Sequence, residues 1–277
     1  MLLENKNAVI YGAGGAIGGA VARAFAREGA RVVLAGRTPS SLDAVAGEIA
    51  AAGGTAETAQ LDALDRETVN EHAAALVKQA GRIDISLNAI SIREVQGVPL
   101  LEMSLEDFSS PVMTGTTAHF VTATAAARHM VKQGSGVILT LSTSAARLSG
   151  RDLRYHHTGG FGTACGAIEA FSRTLAGEVG SNGVRVVCLR PDAIPETWPD
   201  GFHDQVFDHG ADPQRARGHG ADGGRTGADI RAYMEDGTML ARMPTLSEVA
   251  NAAVFAASDR ASAVTGTVVN LTCGSIE

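Results

Sequence analysis

The chain has 277 residues, 45% of them apolar and only 4% aromatic, and a net charge of −7. This length suits one large α/β domain with a substantial core. The acidic balance argues against nucleic acid or an anionic membrane as the main partner. No apolar run approaches the roughly 20 residues of a membrane-spanning helix. Cys165, Cys188 and Cys273 lack metal-ligand spacing, and the N-terminus shows no signal-peptide pattern, so reduced thiols in a cytoplasmic protein are expected.

The run from Asn7 to Thr38 predicts strand, glycine turn, helix and strand in quick succession. Ala8 to Tyr11 is a short apolar strand without alternation, as for a strand buried on both faces. Gly12, Gly14, Gly15, Gly18 and Gly19 crowd the turn that follows. Ile17, Val21, Ala24 and Phe25 then give the next segment one apolar helical face, which ends at Gly29. Arg31 to Ala35 predicts a second buried strand. A glycine turn feeding a helix N-terminus brings backbone N–H groups close to a pyrophosphate, and the helix dipole favours its charge. Such a turn also has a purely steric reading, a tight strand-to-helix connection.

The alternation continues. Ser40–Ala51 predicts a helix, 56–61 a strand, 65–79 a helix and 83–87 a strand. Leu105 to Val131 predicts one long helical stretch, interrupted near Pro111 and Gly115. Then come a strand at 136–142, a helix at 160–180, a strand at 184–189, a helix at 246–257 and a last strand at 267–271. Strands alternating with helices imply an α/β fold: a doubly wound parallel sheet of about seven strands with helices on both faces, in a single domain. Residues 201–237 break the pattern, being rich in Gly, Asp, Arg and His. Following a strand's carboxyl end, they are expected to form a mobile lid over a ligand site.

This order of elements, with Gly12-x-x-x-Ala16-Ile17-Gly18, resembles the short-chain dehydrogenase/reductase family, whose fold is of the Rossmann type, over nearly the whole chain. Ala16 stands where the family has its middle glycine. GVILTLSTSAARL resembles the family's strand into its catalytic serine. AIEAFSRTLAGEVGSNGVRVVCLRPD resembles its long helix, next strand and Pro-Gly turn, with Asp192 in place of that glycine. The segment from Arg242 to Gly274 resembles its last helix and strand. The resemblance implies dinucleotide-binding roles for Gly12, Gly14, Ile17 and Gly18, an adenine-side role for Asp62, and a role for Asn88 as the first Asn of the family's Asn-Asn-Ala-Gly. It also implies a small-molecule substrate and a homodimer or homotetramer paired through two long helices.

Cofactor choice turns on Arg37. An acidic residue at the end of the second strand binds the ribose 2′-OH of NAD. Here Gly36 is followed by Arg37, whose guanidinium suits a 2′-phosphate, so NADP(H) is the expected cofactor. The family's chemistry uses Asn, Ser, Tyr and Lys, and the matching positions here are Gly115, Thr143, Phe161 and Cys165. Phe161 cannot transfer a proton, and Cys165 cannot serve as a fixed ammonium. Thr143 keeps a hydroxyl for a ligand. Tyr155, twelve residues after Thr143, is the candidate substitute acid, unless it belongs to a solvated polar loop. His119, on the face of Gly115, is either a site residue or a core histidine. Three readings stay open: an NADP(H)-linked oxidoreductase with an atypical proton route, a non-redox enzyme on the same scaffold, and a non-catalytic nucleotide-binding subunit.

Overall fold

The strand β1 (Asn7–Tyr11) is an inner strand, third in a seven-stranded parallel sheet seen in a computed structural model that describes residues 1–92, 95–148, 157–198 and 227–275. In chain order the elements are α1 (Ala16–Arg27), β2 (Arg31–Gly36), α2 (Pro39–Ala51), β3 (Thr55–Gln60), α3 (Arg66–Ala80), β4 (Ile85–Asn88), α4 (Leu105–Gln133), β5 (Gly136–Leu141), α5 (Gly159–Val179), β6 (Val184–Pro191), α6 (Gly227–Asp236), α7 (Leu246–Ala257) and β7 (Thr267–Leu271). The strand order is β3-β2-β1-β4-β5-β6-β7. The order reverses between β1 and β4, which opens a crevice at their carboxyl ends.

Alternate residues of β1 face opposite layers, because side chains on a strand alternate. Ala8 and Ile10 join Phe25, Leu34, Leu42 and Val254 under α1, α2 and α7. Val9 and Tyr11 join Val69, Leu76, Met130 and Val186 under α3, α4 and α5. Helix ends follow local chemistry. Asp65 caps α3 by accepting from the Glu67 and Thr68 amides, Gly81 closes it in the left-handed region, and Thr245 with Glu248 forms a capping box on α7.

One expectation needs correction: α4 runs unbroken through Pro111 and Gly115. Pro111 forfeits the bond to the carbonyl four residues back, but it is buried, and α4 packs along the sheet and α5. Gly115 is a contact point rather than a break: a Cβ there would lie 2.7 Å from Ile92 Cδ1 and 3.5 Å from Ala164 Cβ. Of the segment expected to form a lid, Gly227–Asp236 is helix α6. Residues 201–226 of that segment lie outside the described residues.

Candidate active site

At the end of β1, Gly12 takes φ = 81°, and its N–H donates to the Ala35 carbonyl of β2 at 2.8 Å. A Cβ on Gly12 would meet the Ala89 carbonyl oxygen at 2.5 Å, and one on Gly18 would meet the Gly12 carbonyl oxygen at 2.3 Å. Both glycines are therefore required by close backbone approach. A Cβ on Gly14 would meet Ser41 Oγ at 2.6 Å. Helix α1 begins at the extended residue Gly15 with no side-chain cap. The N–H groups of its first turn, with the positive end of the dipole, form an arrangement able to hold a phosphate.

Gly12, Gly14, Arg37, Asp62, Ala89 and Ile90 contribute to the wall of a cleft of about 270 Å³ at the carboxyl ends of β1 to β4. Arg37 is exposed, and its guanidinium has no ion-pair or hydrogen-bond partner among the described residues. Asp62 holds its own loop by accepting from the Leu64 N–H at 3.0 Å. Ile17, Gly18 and Asn88 do not line this cleft, and Ile17 packs half-buried against the core. Gly18 seats α1 on the turn. Asn88 is buried; its amide donates to Thr122 Oγ1 at 2.9 Å, and its Oδ1 accepts from the Ile90 N–H at 3.1 Å. Asn88 thus ties the cleft wall after β4 to α4. Tyr11, also in the wall, meets the ring of His72 edge-on at 6.4 Å, and burial pushes its phenol well above the ordinary range.

Beyond the cleft, across β4 and β5, the surroundings turn apolar. Phe161 and Cys165 on α5 pack with Ala145, against Ile92 and Ala146. Thr143 lies at the end of β5, its Oγ1 accepting from the Ala145 N–H at 3.2 Å and lying 3.6 Å from Cys165 Sγ. The structure thus brings Thr143, Phe161 and Cys165 together. Tyr155 lies outside the described residues. His119 is a core residue: Nδ1 lies 2.8 Å from the Gly115 carbonyl oxygen, and Nε2 accepts from the Leu141 N–H at 3.4 Å. Nδ1 therefore carries the proton of a neutral ring, and burial lowers its pKa to about 4. Among the described residues no group of three His, Cys, Asp or Glu side chains is placed to hold a metal ion, and no helix is long and apolar enough to cross a membrane.

Comparison with known proteins identifies the family. The family model described as enoyl-(acyl carrier protein) reductase matches residues 12–275. An uncharacterized oxidoreductase of Mycobacterium tuberculosis is 30% identical over 273 residues, 98% of this chain and 92% of its own length. The chain belongs to the short-chain dehydrogenase/reductase family. Among solved members of similar fold, NAD+-bound xylitol dehydrogenase superposes with a TM-score of 0.84 at 21% identity, covering 99% of this chain and all 100% of that one. A Burkholderia cenocepacia gluconate 5-dehydrogenase in complex with NADP and tartrate has a TM-score of 0.80, again at 21% identity, covering 99% and 96%.

The structure also places functional candidates in this short-chain dehydrogenase/reductase that the sequence reading missed. Glu169 on α5 and Arg190 on β6 form a buried two-point ion pair at 2.7 and 2.6 Å, and Ser142 Oγ donates to the same carboxylate at 2.8 Å. Asp192, just beyond β6, gathers Ser144 and Ser275. The partners are 21 to 83 residues apart in sequence, so no local spacing signals them. The Asp in Arg-Pro-Asp, where the family has glycine, was the one visible sign.

Proposed function

We propose that this protein is an NADP(H)-linked oxidoreductase acting on a small carbonyl or alcohol substrate, with a proton route that bypasses the family's Tyr–Lys pair. The observation that carries the cofactor assignment is the uncommitted guanidinium of Arg37 at the cleft, next to Gly36 where a carboxylate would favour NAD. The residues present fit a dinucleotide: glycines that admit close backbone approach, an uncapped helix N-terminus, and a wall reaching from Arg37 and Asp62 to Ile90. When bound, the nicotinamide supplies the hydride chemistry, and the chain supplies binding and orientation. Thr143 offers a hydroxyl to the substrate oxygen, and Tyr155 is the candidate for moving its proton. Neither Phe161 nor Cys165 fills that role: one has no ionisable group, and the other is buried in an apolar cluster.

The same apolar cluster favours a second reading, a non-redox enzyme or a non-catalytic nucleotide-binding subunit. A homodimer or homotetramer is part of the proposal, built on the outer faces of α4 and α5, where Phe120 and Phe171 meet edge-on at 6.2 Å. The test measures NADPH and NADH dissociation constants for wild type and Arg37→Ala. Wild type is expected to prefer NADPH, and the variant to lose that preference by roughly tenfold, the scale of one charge-assisted hydrogen bond. An unchanged preference refutes the role of Arg37. Binding without turnover on any carbonyl or alcohol panel supports the second reading.

A further inference from the structure

Asp192 is 6% exposed, yet among the described residues its carboxylate has hydrogen-bond donors and no ion-pair partner. One oxygen accepts from Ser144 Oγ at 2.7 Å and from the Ala193 N–H at 2.8 Å, and the other accepts from Ser275 Oγ. All three donors are neutral, and no Lys, Arg or His side chain forms an ion pair with Asp192 among the described residues. Glu169, buried midway along α5, is by contrast matched two-point by Arg190. A buried charge without a counter-ion is costly, and three hydrogen bonds only partly offset that cost. As a mere tie between loops, a neutral amide would serve as well.

The position of this charge gives it a use. The cleft holds the ends of β1, β2 and β3 and reaches Ile90 and Ser91 after β4. A dinucleotide crosses an open α/β sheet at the switch point. Its second half therefore extends over the ends of β5 and β6. There Thr143 and Asp192 stand, joined through Ser144. Oxidised nicotinamide is a cationic ring, and reduced nicotinamide is neutral.

We infer that Asp192 is a specificity-determining residue whose fixed negative charge favours the oxidised over the reduced dinucleotide. The inference rests on the dinucleotide reading of the cleft. No proton or electron moves in it; it concerns binding alone.

The experiment measures dissociation constants of NADP+ and NADPH for wild type, Asp192→Asn and Ser275→Ala by calorimetry on the full chain. In Asp192→Asn the serine hydroxyls can reverse their roles and donate or accept as the amide requires. The variant is expected to weaken NADP+ by about tenfold, the order of one screened charge–charge interaction, while NADPH changes by less than about twofold. Ser275→Ala removes a donor but keeps the charge, so it is expected to preserve the wild-type ratio. An Asp192→Asn variant that shifts both ligands equally, or neither, overturns the inference and leaves the dinucleotide reading intact. Wild type that binds neither ligand overturns that reading and this inference together. If Asp192→Asn does not fold, wild type decides alone: NADP+ bound at least as tightly as NADPH supports the inference, and weaker NADP+ overturns it.

Discussion

Replacing Glu169 by Ala tests the main polar tie between α5 and the sheet. Both side chains of the Glu169–Arg190 pair are 7% exposed, and both guanidinium contacts are under 2.8 Å. The variant leaves Arg190 buried and charged, and it strips Ser142 Oγ of its acceptor. Breaking a buried pair from one side typically costs about 3–5 kcal/mol. For a chain of this size that corresponds to a fall in Tm of roughly 6–15 °C. Removing both charges together, in Glu169→Met with Arg190→Met, leaves no orphaned charge and is expected to come within about 2 kcal/mol of wild type. Urea unfolding followed by circular dichroism measures both, and a double-mutant cycle isolates the coupling. A single variant that loses less than about 1 kcal/mol would refute the reasoning, because it would mean that water reaches Arg190 and solvates it.

His119 predicts an acid limit. Its pKa falls from 6.5 to about 4 in the folded protein, so the unfolded chain binds the proton more readily. Its contribution is full above pH 6.5 and is lost as pH falls through that value toward 4, an order-of-magnitude effect of about 3 kcal/mol. Stability measured from pH 7 to 4 should fall less steeply in His119→Gln than in wild type, and equal slopes would refute the assignment. Gly12→Ala forces a side chain into φ = 81° and against the Ala89 carbonyl. It should destabilise by more than the 1–2 kcal/mol of the backbone strain alone, and weaken NADPH binding, as read by melting and fluorescence titration.

The inner strands were legible because the sheet buries them on both faces, which leaves apolar runs such as Val32 to Ala35 and Val186 to Leu189. The glycine turn was legible for a steric reason: Gly12 and Gly18 mark the places where backbone meets backbone. Local rules failed where tertiary packing outweighs them. Pro111 reads as a helix break, but burial carries α4 through it. Helix α6 was hidden inside a Gly- and Asp-rich stretch, although Ile230, Tyr233 and Met234 stand at helical spacing. In the candidate site, Arg37 and the glycines were named from their place at the ends of β1 and β2. Asn88 was named too, and the structure makes it a tie to Thr122 outside the cleft lining. The Glu169–Arg190 and Asp192–Ser275 contacts needed the fold, because they join elements that meet only after the sheet has closed.

The two buried carboxylates near the end of β6 divide the work of the site. Glu169 is neutralised by Arg190, so its field is cancelled close at hand and what it contributes is position: α5, with Phe161 and Cys165, is held to β5 and β6. Asp192 has hydrogen-bond donors but no ion-pair partner among the described residues, so on the inference above its charge acts on the ligand. The consequences of removing each charge should therefore separate. Loss at Glu169 registers in unfolding, with ligand preference kept in whatever remains folded. Loss at Asp192 registers in the ratio of oxidised to reduced ligand, with little change in unfolding because the serines can re-pair with an amide. If the cleft takes a dinucleotide as proposed, this lever on the ligand's charge is built from groups on three separate parts of the chain: Ser144, Asp192 and Ser275.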